Sequence, residues 1–141
     1  MIRKATAADE MQIRECAVKA YARYVQRIGR VPAPMVADYA SQIAAGYAFI
    51  ATDDQGTFQG FVVFYAADVH MLLENVAVLP EAAGHGVGRT LIAFCENAAR
   101  DRGFKAVHLY TNEMMTENLT MYAKLGYVEV ARRFENGFSR V

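Results

Sequence analysis

The stretch Val78-Leu79-Pro80-Glu81-Ala82-Ala83-Gly84-His85-Gly86-Val87-Gly88-Arg89 decides how this chain folds. It leads from an apolar strand, past a proline, into glycines at every second position and then into a helix. The helix is legible from Val87, Leu91, Cys95, Ala98 and Ala99 on one face, with Glu96 and Arg100 four apart on the other. Glycine lets the backbone approach a ligand closely, and amides at a helix N-terminus form a seat for a phosphate or pyrophosphate. Two common nucleotide loops do not fit. No Lys follows the last glycine, as a nucleoside-triphosphate loop requires. The glycines are spaced G-x-G-x-G rather than G-x-G-x-x-G, and the next strand, Ala106 to Tyr110, ends in Thr111-Asn112 instead of an acidic residue.

Working toward the N-terminus, Val69 to Val78, Phe58 to Ala66 and Tyr47 to Thr52 read as three strands of an antiparallel meander, with a turn at Asp53-Asp54-Gln55-Gly56. Ahead of them, Ile2 to Ala5 reads as a first strand and Thr6 with Asp9 as a helix start. Ile13, Ala17, Tyr21, Tyr24, Val25 and Ile28 recur at helical spacing, which predicts one amphipathic helix over about residues 8–28, ended by Gly29. Val31-Pro32-Ala33-Pro34 is a rigid connector, and Met35 to Ala45 a second helix closed by Gly46. Toward the C-terminus, Thr116 is expected to cap a helix reaching Leu125 and stopping at Gly126. Tyr127 to Phe134 reads as a strand, and Asn136-Gly137 as a two-residue hairpin turn, with Gly137 at positive φ, into Phe138 to Val141. The order β-α-α-β-β-β-α-β-α-β-β describes an α+β domain with a mixed sheet.

The 141 residues, at roughly 100 to 200 per domain, make one domain spanning 1–141. A hydrophobic fraction of 54% excludes intrinsic disorder, and fifteen basic against fifteen acidic groups argue against a nucleic-acid partner. The N-terminus MIRKATAADE has no apolar signal core, and no apolar run reaches the roughly 18 residues of a membrane span. Cys16 and Cys95 are too few for a disulfide framework and lie on apolar helix faces, so they read as small core residues of a protein in a reducing cytosol. No His/Cys/Asp/Glu cluster has metal-ligand spacing. Residues 51–100 carry a net charge of −4, which is either ordinary surface variation or an acidic region beside a site for a cationic substrate.

The chain resembles the GCN5-related N-acetyltransferases (GNAT family). Their signature is a strand ending V-x-P, then [QR]-x-x-G-x-[GA] opening a helix, then N-x-x-[AT]-x-x-Y closed by L-G-[FY]. Here Val78-Leu79-Pro80 precedes Gly86-Val87-Gly88, and Asn118-Leu119-Thr120-Met121-Tyr122-Ala123-Lys124 is closed by Leu125-Gly126-Tyr127, with Thr120 and Tyr122 at shorter spacing from Asn118 than the pattern has. Together the two motifs are specific, and the element order extends the likeness over essentially the whole chain. One departure is Ala83 at the [QR] position, which should weaken cofactor affinity more than it alters the activity. The resemblance implies a mostly antiparallel sheet flanked by helices, and acetyl transfer from acetyl-CoA to an amine, with no metal. It implies that Gly84, His85, Gly86, Val87, Gly88 and Arg89 hold the pyrophosphate. The backbone of Val76 and Val78 would pair with the pantetheine arm like an added strand, in a gap where the strands Val69–Val78 and Ala106–Tyr110 splay apart. Asn118 would touch that arm and Tyr122 would lie near its sulfur.

Acetyl transfer sets two proton problems. An alkylammonium, with a pKa near ~10.4, must lose a proton before it attacks, and a thiolate, near ~8.5, departs more easily when protonated. A carboxylate suits the first role and a phenol the second. Glu74 is the candidate base, with Glu113 or a water as alternatives, and Tyr122 the candidate acid; each also reads as structural, Glu74 as a solvated strand residue and Tyr122 as a core aromatic. The family places a backbone amide near Val76 to receive the developing oxyanion. His70 and His108 read as strand residues, and His85 as a donor of backbone. In the family the acceptor pocket comes from the first two helices, their connector and the last hairpin, here Tyr21, Tyr24, Val25, Pro32, Pro34, Met35 and Phe138, which suits a small amine with apolar bulk (an amino acid, a polyamine or an aromatic amine, among which nothing selects) or a peptide, and otherwise reads as core. A domain that holds acyl-CoA without turnover is the alternative function. A chain stopping early in its final strand leaves room for a longer C-terminus or for strand exchange in a homodimer.

Overall fold

The computed structural model of the chain describes residues 1–135 and 138–141. A five-stranded sheet runs in the order β1 (Ile2–Lys4), β2 (Ala48–Thr52), β3 (Phe58–Ala67), β4 (His70–Val78), β5 (Val107–His108). All neighbours are antiparallel except β4 and β5, which are parallel. Among the described residues five α-helices flank it: α1 (Glu10–Tyr21), α2 (Tyr24–Ile28), α3 (Tyr39–Ala44), α4 (Val87–Asp101) and α5 (Thr116–Lys124). A second ribbon pairs β6 (Arg133–Glu135) with β7 (Phe138–Arg140). The expected hairpin turn Asn136-Gly137 lies outside the described residues. No helix among the described residues is long and apolar enough to cross a membrane.

The sheet separates two cores. On one face Phe61, Val63 and Ala77 meet Ile13, Cys16 and Ala17 of α1 with Tyr39 and Ile43 of α3. On the other, Val62, Phe64, Met71 and Leu73 meet Leu91, Ile92, Cys95 and Ala99 of α4. Each fully buried large aliphatic side chain contributes about 1.5–3 kcal/mol. The two cysteines are buried in these cores, and burial pushes both thiols up to about 12, which suits packing and not nucleophilic attack.

Along β4, Met71 and Leu73 face α4, whereas Asn75 and Ala77, of the same parity, face α1. The cause is a β-bulge. Val63 pairs Asn75 and Phe64 pairs Leu73, so Glu74 has no partner residue on β3 and the strand rotates there.

Several expected boundaries are corrected. The first helix is not continuous over 8–28: a 3-10 turn at Ala7–Asp9 precedes α1, and the helix breaks at Ala22-Arg23 before α2. Asp9 anchors its start, accepting from Arg3 and from the Thr6 N–H at 2.8 Å, and the Arg3 guanidinium holds its carboxyl below the usual carboxylate range. The second helix begins at Tyr39, not Met35, because Pro32 and Pro34 leave only a 3-10 turn and Asp38 supplies the cap by accepting from the Ser41 N–H at 3.1 Å. In α5 the cap position is Met115, and Thr116 is already helical. Glu96 takes the Tyr127 hydroxyl at 3.0 Å and Arg100 the Asn97 carbonyl oxygen of the side chain at 2.8 Å, instead of pairing with each other. The strand expected over 127–134 forms only from Arg133. Residues 127–132 have no strand partner among the described residues, and Val128 and Val130 remain 81% and 89% exposed.

Gly60 marks a close approach of β3 and β4. A Cβ there would lie 2.5 Å from the Ala77 carbonyl oxygen and 3.1 Å from the Val78 Cα, both backbone atoms. Gly60→Ala should therefore force β3 and β4 apart and cost about 1–3 kcal/mol, the scale of overpacking. Urea unfolding should show a lowered midpoint; an unchanged one would mean that the strands yield freely.

Candidate active site

The glycine loop begins where β4 ends. After a 3-10 turn at Pro80–Ala82, the chain passes through Gly84 at φ +83 and Gly86 at φ +79, and Gly86 is the residue before the first turn of α4. A Cβ at either glycine would meet nothing within 4 Å, so the left-handed backbone, not crowding within the protein, is what calls for glycine there. Among the described hydrogen bonds, the amides of Gly84, His85, Gly86 and Val87 donate to no protein acceptor. Unused amides at the positive end of a fifteen-residue helix are a donor set that fits a pyrophosphate. The His85 and Arg89 side chains are exposed beside them. Gly88 sets α4 against the end of β4, its Cβ direction 3.6 Å from the Val78 side chain.

Strands β4 and β5 pair only at Met71 with Val107 and Leu72 with His108. The expected strand Ala106–Tyr110 is thus two residues long, and beyond it the edge of β4 that carries Val76 and Val78 has no strand partner among the described residues. The chain after β5 turns to another partner: Thr111 exchanges two backbone bonds with Val141, at 2.8 and 3.2 Å, and Asn112 bridges Arg140. Divergence of parallel strands is the gap that an extended arm would fill.

A cavity of about 70 Å³ adjoins this region. Its lining includes Tyr21, Pro32, Pro34, Tyr110, Asn118, Tyr122 and Phe138. Tyr24, Val25 and Met35 do not line it: Tyr24 is buried, and Met35 packs against the α1 core. The Tyr122 ring stands edge-on to Tyr127 at 5.8 Å, and burial pushes its phenol up, so it remains protonated at neutral pH. The first turn of α5, which carries Asn118, is tied to α2 by Glu117. That carboxylate takes the Arg27 guanidinium at 2.8 Å and the Tyr24 hydroxyl at 3.0 Å, and Arg27 holds its pKa at about 2.

Glu74 is outside that cavity's lining and is joined to it through Tyr110. Its Oε2 accepts from Tyr65 at 3.0 Å and from Tyr110 at 3.5 Å. Tyr65, stacked on Tyr47 at 4.9 Å, is pushed up to about 12 by burial and then by Glu74. Glu113 lines neither this cavity nor the wider groove beside α5, and its carboxylate lies 3.7 Å from Arg132. His70 and His108 stack on each other at 3.7 Å between ring centres, across the paired ends of β4 and β5. Among the described residues no group of three or more His, Cys, Asp or Glu could hold a metal.

Sequence reasoning missed the polar network behind the bulge. Asn75 is buried, its Oδ1 2.8 Å from the Tyr21 hydroxyl, and its Nδ2 donates to the Tyr39 hydroxyl at 2.8 Å, which in turn donates to the Pro34 carbonyl. Tyr21 also reaches the Val76 carbonyl at 3.2 Å. The signal was present: Glu74-Asn75 are two adjacent polar residues inside an apolar strand, where strict alternation allows one.

A model of the acetyltransferase (GNAT) family matches residues 13–127. Mouse N-alpha-acetyltransferase 80 is 42% identical over 57 residues, 40% of this chain, and the chain spans only 17% of that protein's length. A nourseothricin acetyltransferase structure superposes with a TM-score of 0.60 at 26% identity, covering 66% of this chain and 60% of the other. The PaiA N-acetyltransferase of Thermoplasma acidophilum, solved with coenzyme A, shares the fold at a TM-score of 0.73 and 18% identity, over 99% of this chain and 95% of its own.

Proposed function

The chain belongs to the acetyltransferase (GNAT) family, and on that premise we propose that it moves an acetyl group from acetyl-CoA to the amine of a small molecule or peptide by direct attack. The observation that carries this reading is the left-handed glycine loop, with its unused amides, opening α4 directly beside the edge of β4 that carries Val76 and Val78. Gly84 to Arg89 would seat the pyrophosphate, the Val76 and Val78 backbone the pantetheine arm, and Asn118 its far side. The amine nitrogen attacks the thioester carbon, the C–N bond forms and the C–S bond breaks. An amide near Val76 would receive the charge on the oxygen. The ammonium gives one proton to Glu74, directly or through water, before attack; Tyr122 then gives its phenolic proton to the departing thiolate, and the proton that the nitrogen sheds as the amide forms returns to Tyr122. Buried Cys16 and Cys95, both free thiols, support work in a reducing cytosol.

The direct test is release of free thiol from acetyl-CoA across a panel of amines. Coenzyme A binding without thiol release from any amine would leave the acyl-CoA-holding alternative standing instead.

Glu74→Gln should lower kcat/KM at neutral pH by about 10- to 100-fold, at or below the lower end of the general-base range because water reaches this half-buried group. The loss should shrink as pH rises toward the amine's own pKa, since the acceptor then arrives deprotonated. A loss constant across the pH range would assign Glu74 a structural role only.

A further inference from the structure

The small cavity beside Tyr122 has one charged side chain among its described lining residues, Arg140. Its side chain is only 17% exposed. One nitrogen, Nη1, lies 3.3 Å from Glu135, which is itself 43% exposed, and no other donor of the guanidinium has a described hydrogen-bond partner. The group stacks on Tyr110, its central carbon 4.4 Å from the ring centre. The same Tyr110 points its hydroxyl at the Glu74 carboxylate, 3.5 Å away. One ring thus carries a half-buried carboxylate at its hydroxyl and a sheltered guanidinium on its face.

We propose that the acceptor is a compact amino acid whose amine meets the Glu74 side of Tyr110 and whose carboxylate is bound by Arg140. This rests on the acetyl-transfer reading of the same site. The guanidinium offers a planar fork that matches a carboxylate with two parallel bonds. Its low exposure limits screening by water and salt, so the pair is worth more here than on the surface. The cavity of about 70 Å³, walled by Pro32, Pro34 and Phe138, offers the acceptor's body a small and partly apolar seat. A polyamine, which brings a second cation toward Arg140, is rejected by the same charge.

The test uses the full chain loaded with coenzyme A, and glycine, alanine, methionine and phenylalanine, each beside its amide and its decarboxylated amine. Calorimetry should show tighter binding of the amino acid than of its amide in at least one set, by about 10- to 100-fold, the range of a hydrogen bond to a charged group. Thiol release from acetyl-CoA should rank the same compounds alike. Arg140→Gln should abolish the preference while leaving coenzyme A affinity and binding of the decarboxylated amine unchanged, and Arg140→Lys should restore part of it. Equal binding of acid and amide in all four sets overturns the proposal. So does an Arg140→Gln loss that is the same for all three members of a set, which would mark the arginine as structural. Because binding is read without turnover, a failure of acetyl transfer to every amine would strike the transferase reading while the calorimetry still decides the acceptor chemistry.

Discussion

Gly86→Asp is expected to remove coenzyme A binding, with affinity falling by more than about 100-fold in titration calorimetry. Two effects combine. Gly86 has φ +79, a conformation that costs most side-chain-bearing residues about 1–2 kcal/mol. The new carboxylate also stands among the amides of Gly84 to Val87, where a pyrophosphate would bring negative charge of its own, and juxtaposed like charges cost several kcal/mol. Gly86→Asn isolates the charge, because Asn and Asp share size and tolerance of left-handed backbone and differ in the carboxylate. The Asn variant should therefore keep most of the affinity that the Asp variant loses. The added Cβ meets no protein atom within 4 Å, so any fall in the thermal midpoint should come from the left-handed strain alone and be similar in the two variants. Unchanged coenzyme A affinity in Gly86→Asp would exclude this loop as the pyrophosphate seat.

Tyr122→Phe is expected to lower kcat by about 10- to 1,000-fold with little change in KM for acetyl-CoA. The substitution keeps the ring, and with it the edge-on contact to Tyr127 at 5.8 Å, and deletes only the hydroxyl. Burial raises this phenol's pKa, which keeps the proton on it at neutral pH and makes it a weaker acid as well. A thiolate is a moderately basic leaving group, so the gain from protonating it is bounded. A hydroxyl that acts only as the C–S bond breaks lowers kcat and kcat/KM together. If Tyr122→Phe retains full kcat with its best amine, the thiolate leaves unassisted and the hydroxyl has no part in the chemistry.

The parts of the candidate site that were legible in the sequence are those made by contiguous residues. Gly84 to Arg89 is read directly, because a proline stop, alternating glycines and an apolar helix stripe are local signals. Asn118 to Tyr127 is similar, since its residues share one helix and its glycine stop. The meander of β2, β3 and β4 followed from apolar runs and turn residues, with boundaries off by a residue. Helical composition over Met35 to Ala45 puts the second helix four residues early, because Pro32, Pro34 and the Asp38 cap determine where a helix can begin.

What the sequence determined by itself, then, is the order of the strands, the α+β fold and the loop that opens α4, each written in residues adjacent along the chain. The bulge at Glu74 was decided only by the tertiary structure, because it is a property of the register between β3 and β4, and one strand's pattern does not state which residue its partner will skip. The same holds for the tyrosines that surround it. Tyr65 and Tyr110 lie 9 and 36 positions from Glu74, and Tyr21 lies 54 from Asn75; their hydroxyls converge only once the sheet has twisted and α1 has docked on it. Arg140 reaches Tyr110 because Val141 pairs with Thr111 instead of continuing the β6–β7 ribbon alone. Hydrogen-bond reach is about 3 Å, and periodicity along a chain carries no information about which distant hydroxyl will come within it.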